Sequence, residues 1–115
     1  MMDALVAMKM GEVRPVYAQV TTDTGTLTIQ AGGKVTLVDA SGVVVTGFAA
    51  VNVTGYEATA LAAPRIWYTL DTTAVPAGWY TLQFDFKALG SDTITRTYEP
   101  VVGVAVSAGI PVAVP

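Results

Sequence analysis

The chain has no cysteine and no histidine, and only 13% of its 115 residues are charged. Without histidine it lacks the side chain that most often serves as a general acid or base near neutral pH. Without cysteine it lacks thiol nucleophiles, disulfides and the ligands of ordinary zinc sites. We therefore predict no catalytic residues, no cofactor and no metal site.

Clustered charge is also missing. Six basic and nine acidic residues give a net charge of −3. Binding to nucleic acid needs a basic patch that neutralises phosphates, and here the basic residues are scattered singly. No run reaches the ~18–20 apolar residues of a membrane span. We therefore predict that the chain binds neither nucleic acid nor membrane. The basic residues are Lys9, Arg14, Lys34, Arg65, Lys87 and Arg96.

Hydrophobic residues are abundant, at 52% of the chain, which excludes global disorder. Eighteen valines and sixteen threonines make the chain rich in β-branched side chains. Such side chains are stiff at χ1 and pack well on a pleated surface. The composition therefore predicts a single all-β domain.

Apolar and polar residues alternate with a period of two in several short segments. The clearest is 79–88, where Tyr80, Leu82, Phe84 and Phe86 share one face. Turn-forming residues recur every ~8–12 positions, which is typical of a β-sandwich of immunoglobulin type. We predict seven to eight short antiparallel strands, including one at 43–46 and a last strand interrupted at Pro100. The predicted segments are an N-terminal arm at 1–13, the sandwich at 14–106 and an apolar C-terminal arm at 107–115.

Two tryptophans are candidate interface residues. Trp67 and Trp79 alternate out of phase with the core residues around them, so both are expected to project from the sandwich. An exposed tryptophan can anchor a protein partner, or its ring can stack on a sugar. The other interpretation is that strand ends and loops cover both rings, because tryptophan is highly buried on average.

Both ends of the chain are apolar. Leu5 and Val6 lie near the beginning, and Ile110, Val112 and Val114 lie in the last segment. Apolar ends are expected to pack either on the edge of the domain's own core or on a neighbouring subunit, and the sequence leaves both open. The first ten residues lack the pattern of a secretory signal, so synthesis and folding in a cytoplasm are expected.

Two segments resemble the immunoglobulin-like modules of bacteria and phages. Residues 70–82 read LDTTAVPAGWYTL, similar to the turn that leads into the penultimate strand of those modules. The turn at 39–42 reads DASG and is similar to the turn between their early strands. The resemblance covers residues 16–106. It implies that Tyr80 takes the structural position of a tyrosine corner, in which a hydroxyl binds the backbone nearby.

The opening at 10–16, followed by a threonine-rich region, resembles small free-standing virion proteins of bacteriophages. The resemblance implies a non-enzymatic role as capsid decoration (cement) or as a head–tail or tail accessory. Its partners would be major capsid, tail or neck subunits and copies of itself, in a virion made in the host cytoplasm. The alternatives are a carbohydrate-binding or adhesive module of a bacterial surface protein, a subunit or chaperone-like partner of a bacterial assembly, and, last, an enzyme.

Overall fold

The structure is a computed structural model in which residues 2–22, 25–31 and 33–108 are described, with side chains from Leu5 onward. Within these ranges the chain forms ten strands and no helix, which confirms the all-β prediction. The strands are β1 (Met2–Lys9), β2 (Val13–Gln19), β3 (Leu27–Ile29), β4 (Lys34–Asp39), β5 (Val51–Asn52), β6 (Gly55–Tyr56), β7 (Arg65–Asp71), β8 (Gly78–Gly90), β9 (Thr95–Tyr98) and β10 (Val101–Ser107).

The strands form two sheets. The larger has seven strands in the order β1-β10-β8-β4-β5, and β3 and β9 pair with β8 beside this path. The smaller has three strands in the order β2-β7-β6. Buried residues of both sheets belong to one hydrophobic core, so the arrangement is compatible with a sandwich of two sheets.

The core follows from the alternation along the strands. In β8, which has 13 residues, every second side chain from Tyr80 to Ala88 is buried and those between face outward. In β2, Val16 and Ala18 are buried in the same way. Full burial of an aliphatic or phenyl side chain such as Phe84 stabilises a fold by about 1.5–3 kcal/mol.

Most of the predicted N-terminal arm is a strand of the larger sheet. β1 pairs with β10 in parallel, so the strands are not all antiparallel. Met8 is 2% exposed and Val6 packs against the core, whereas Leu5 and Ala7 face outward. The period of two is present in this segment, but apolar residues on both of its faces hide it.

The prediction of a strand at 43–46 is wrong. Only a single bridge joins Val44 to Val38 in β4, and Val43 is 60% exposed. The Asp39 carboxylate accepts hydrogen bonds from the backbone N–H groups of Ser41 at 2.8 Å and Val43 at 3.0 Å. The N–H of Val43 is therefore bonded to a side chain, whereas the N–H of Val45 bonds to the Leu37 carbonyl at 2.9 Å, so the pairing with β4 amounts to the one bridge at Val44.

The break at Pro100 was expected, and it leaves the register intact. β9 and β10 pair with β8 in succession: Tyr98 lies opposite Phe86 and Val101 opposite Gln83, three residues further along each strand. No residue is inserted, so the inward and outward faces continue unchanged. Proline donates no hydrogen bond, but the Pro100 carbonyl accepts one from the N–H of Phe84 at 3.0 Å.

Candidate interaction surface

Trp79 stands on the outer face of the larger sheet, where 64% of its surface is exposed. In the register of three adjacent strands it lies opposite Ala105 of β10, which in turn lies opposite Ala7 of β1. Because alanine side chains are short, no large side chain in this row covers the indole. The register therefore leaves a large apolar ring open to contact.

The next row of the same face continues this apolar area. Leu5, which is 57% exposed, lies opposite Gly103, and Gly103 lies opposite Thr81. Further along the row, Val38 lies opposite Thr81 and bridges to Val44, which is 43% exposed. We refer to Leu5, Ala7, Trp79, Thr81, Gly103 and Ala105 together as the Trp79 surface.

Two shallow cavities flank the indole. One, of about 180 Å³, is lined by Leu5, Ala40, Trp79, Tyr80, Thr81 and Gly103. The other, of about 440 Å³, lies towards the end of the sheet, lined by Ala7, Met8, Ala77, Gly78, Trp79, Ala105, Val106 and Ser107. No residue that lines either cavity is charged. The Trp79 surface is therefore suited to receive apolar side chains, and cannot bind through charge.

Trp67 lies on the opposite side of the molecule, on the outer face of the smaller sheet. It pairs across β2 and β7 with Tyr17, and the two rings pack at 5.4 Å between centroids with a tilt of 42°. Its indole also closes over Gly55, where an added Cβ would lie 2.5 Å from the ring. Trp67 is half-buried as a result, so the two predicted tryptophans do not form one site.

A charged pair borders these two rings. The Arg65 side chain donates hydrogen bonds to Glu57 at 3.1 and 3.3 Å, and its guanidinium lies 5.1 Å from the centre of the Tyr17 ring. Hydrogen bonds from the Arg65 side chain and backbone hold the pKa of the Glu57 carboxyl below its ordinary value. The hydrogen bond to Glu57 in turn raises the pKa of the Arg65 guanidinium. Both groups stay charged and their charges compensate each other, and the pair ties the loop after β6 to β7.

Tyr80 points inward from the position next to Trp79. Its hydroxyl donates a hydrogen bond to the Pro76 carbonyl at 2.6 Å, four residues earlier. Burial, and then the charge of Asp39, raise the pKa of the Tyr80 hydroxyl above its ordinary value. The Tyr80 hydroxyl therefore keeps its proton at neutral pH. Its hydrogen bond to Pro76 fixes the corner that precedes Trp79.

Thr72, which the sequence did not single out, makes a second structural contact at this corner. Its side chain is fully buried, and its hydroxyl lies 2.7 Å from the Glu12 carbonyl and 2.9 Å from the Lys9 carbonyl. A hydroxyl has one proton, so it donates to one of the two at a time. Thr72 is one of sixteen threonines, and another threonine follows it in the turn. Nothing in the sequence therefore marks Thr72 as buried.

A polar pocket of about 270 Å³ lies at the other end of β8, and its polar lining residues are Thr22, Thr26, Ser91, Asp92, Arg96 and Tyr98. Arg96 forms an ion pair with Asp92. The hydrogen bond from Arg96 is the main cause that lowers the pKa of the Asp92 carboxyl. The charges of Arg96 and Asp92 in this pocket therefore compensate each other.

Of the residues predicted for an interface, the structure brings Leu5 and Trp79 together on one face. Val6 is partly buried and packs against the core, because β1 turns alternate side chains inward. Trp67 is on the opposite side. Ile110, Val112 and Val114 lie outside the described residues. The assignment of these residues to an interface stays a prediction.

Within the described ranges, no three acidic residues are grouped so that they could hold a metal ion. Nor does that part of the chain include a helix of the length and apolarity needed to cross a membrane. Comparison with family models, with curated proteins and with solved structures gave no match. The fold and the surfaces described above are therefore the basis for a functional proposal.

Proposed function

We propose that this chain is a non-enzymatic structural protein that binds neighbouring subunits through the Trp79 surface. The observation that carries the proposal is the indole of Trp79, 64% exposed beside Leu5, itself 57% exposed, at a cavity that no charged residue lines. Contiguous exposed apolar residues mark interaction sites, and tryptophan is enriched among the residues that dominate binding energy.

We also propose that the fold is an immunoglobulin-like sandwich. In that fold one sheet has strands B, E and D side by side, and the other has strands C, F and G. The smaller sheet here has the order β2-β7-β6, which corresponds to B-E-D. The larger sheet contains the order β4-β8-β10, which corresponds to C-F-G. The hydrogen bond from Tyr80 to Pro76 supports the proposal, because it lies at the start of the strand in the F position, as a tyrosine corner does.

The assembly that we propose is a phage particle. The support is the resemblance of residues 39–42, 70–82 and 10–16 to segments of phage and bacterial immunoglobulin-like proteins. In that setting the chain acts as a capsid decoration or as a head–tail or tail accessory protein. Its neighbours are major capsid, tail or neck subunits and further copies of itself, and its location is the virion.

Light scattering of the purified chain across a concentration series tests the binding of copies to one another. We expect the wild-type mass to exceed that of a monomer and Trp79→Ser to remain monomeric. Ile94→Ser is the matched control, because Ile94 is 54% exposed in the turn between β8 and β9, far from the Trp79 surface. Unchanged association of Trp79→Ser would refute the proposal. A wild-type chain that is monomeric throughout would exclude copies of itself as the neighbours.

A carbohydrate-binding or adhesive module is the second candidate. The observation that favours it is the pair formed by Tyr17, which is 43% exposed, and Trp67, with Arg65 and Glu57 beside the rings. Aromatic faces bordered by polar groups suit a sugar ring. A glycan array probed with the wild-type chain and with Tyr17→Ala decides between the candidates: binding that is lost in the variant supports this one.

A further inference from the structure

We infer that the Trp79 surface of one copy binds residues 110–115 of a second copy. The inference rests on the proposed function, which it deepens by naming the segment that fills the surface. It follows from the spacing of the two cavities, the pattern of residues 110–115 and the point at which that segment leaves the sheet.

The cavities set a spacing for any chain that fills them. Gly103 lines the cavity on one side of Trp79, and Ala105 lines the cavity on the other. These two residues are separated by one position of β10, so their Cα atoms are about 6.6 Å apart along an extended strand. An extended segment laid along β10 therefore fills both cavities if every second side chain is apolar.

Residues 110–115, IPVAVP, have that pattern. Ile110, Val112 and Val114 are at every second position, and the segment carries no charge. Pro111 and Pro115 fix their own φ and push the residues before them into extended conformations. Proline is unsuited to a sheet ladder because it donates no hydrogen bond, but contact with the face of a sheet needs no ladder. The segment thus matches the cavities in spacing, chemistry and stiffness.

The point of departure favours a second copy. β10 ends at Ser107, which lines the larger cavity, so the strand ends at the rim of the Trp79 surface. To cover the surface of its own copy, the segment would require the chain to reverse direction between Ser107 and Ile110. The Trp79 surface of a second copy can receive the segment without such a reversal, because the orientation of one copy relative to the other is not fixed by a covalent connection.

Cysteine pairs test this contact, since the natural chain has no cysteine. Ala7→Cys and Val112→Cys are purified separately, one isotopically labelled, then mixed and oxidised with copper–phenanthroline. Peptide mapping measures disulfides that join position 7 of one copy to position 112 of the other. Ala60→Cys replaces Ala7→Cys in the control: Ala60 is an exposed alanine next to Leu61, which bridges to Leu27, and Leu27 pairs with Gly90 at the far end of β8.

We expect the 7–112 disulfide to form at least about tenfold faster than the 60–112 disulfide, because bound partners hold their thiols at a high effective concentration. Equal rates would overturn the inference. A double variant with both cysteines, oxidised at high dilution, tests the alternative occupant. An internal 7–112 disulfide in the monomer would place the segment on its own surface and would also overturn the inference.

Deletion of residues 110–115 supplies a second measurement. We expect a folded domain, because β10 is complete at Ser107, and loss of association in light scattering. A chain with serine at 110, 112 and 114 keeps the length and should behave in the same way. An unfolded truncated chain would show instead that the segment belongs to its own core. If Trp79→Ser abolishes association but the 7–112 disulfide fails to form, the inference fails and the proposed function stands.

Discussion

The hydroxyl of Tyr80 donates a hydrogen bond at 2.6 Å to the carbonyl oxygen of Pro76, which precedes it by four residues. The bond closes the turn between β7, in the smaller sheet, and β8, in the larger. Because Tyr80 faces the core and its neighbour Trp79 faces outward, one side chain anchors the backbone that presents the other. The stability of this corner and the presentation of the interaction surface are therefore linked.

Tyr80→Phe should lower the free energy of unfolding by about 1 kcal/mol, the usual net contribution of one hydrogen bond. Urea denaturation followed by circular dichroism measures the change. Tyr17→Phe is the matched control, because the phenyl ring keeps its packing on Trp67, and we expect a change within about 0.5 kcal/mol. Equal stability of Tyr80→Phe and the wild type would show that the bond contributes nothing to the fold.

Alkaline pH should destabilise the fold through two tyrosines. Burial raises the pKa of Tyr80 and of Tyr68 above the ordinary value of 10.0, whereas the unfolded chain keeps that value. The unfolded state thus loses its protons first, so the stability is full below about pH 10 and falls as the pH rises towards the folded-state values. Urea unfolding at a series of pH values measures the loss, which should be smaller in Tyr80→Phe. A flat profile up to pH ~11 would contradict the linkage.

Gly55→Ala should destabilise the smaller sheet by about 1–3 kcal/mol, the usual effect of overpacking. The added Cβ would lie 2.5–2.9 Å from three atoms of the Trp67 indole, a rigid group that cannot move aside locally. Urea denaturation measures the effect. In a Trp67→Leu background the same substitution should be less costly, since the ring is gone. An equal loss in both backgrounds would show that the backbone, and not the ring, resists the change.

Association through the Trp79 surface should survive about 1 M sodium chloride, because salt screens exposed ion pairs and leaves apolar contact intact. No residue that lines the two cavities carries a charge. Light scattering at low and high salt provides the comparison. Dissociation at about 1 M salt would mean that charged residues outside this surface hold the subunits together.

Sequence reasoning predicted the parts of the fold that depend on local patterns. The alternation in 79–88 predicted the faces of β8, because ten residues keep one period. It missed β1, whose two faces are both apolar, and the two-residue strand β6, which is too short to show a period. The parallel pairing of β1 with β10 has no local signal, since the partners are separated by almost the whole chain.

The same limit applies to the interaction surface. The sequence indicated that Trp79 projects from the sheet and left open what Leu5 packs on, and only the register of β1, β10 and β8 places the two on one face. Trp67 has the same outward phase as Trp79, yet a ring across the strand pair and a glycine beneath it change its exposure. Outward direction can be read from a period of two, whereas coverage depends on residues that are distant in the sequence.

The parallel joint between β1 and β10 also determines how the domain responds to tension. Met2 pairs near the beginning of β10, with Val101, and Lys9 pairs at its end, with Ser107. Force applied to the chain on either side of the domain pulls β1 and β10 in opposite directions along their common axis. The hydrogen bonds between them are then loaded together in shear, not opened one after another as in a peeled hairpin. A domain built in this way resists stretching between β1 and β10.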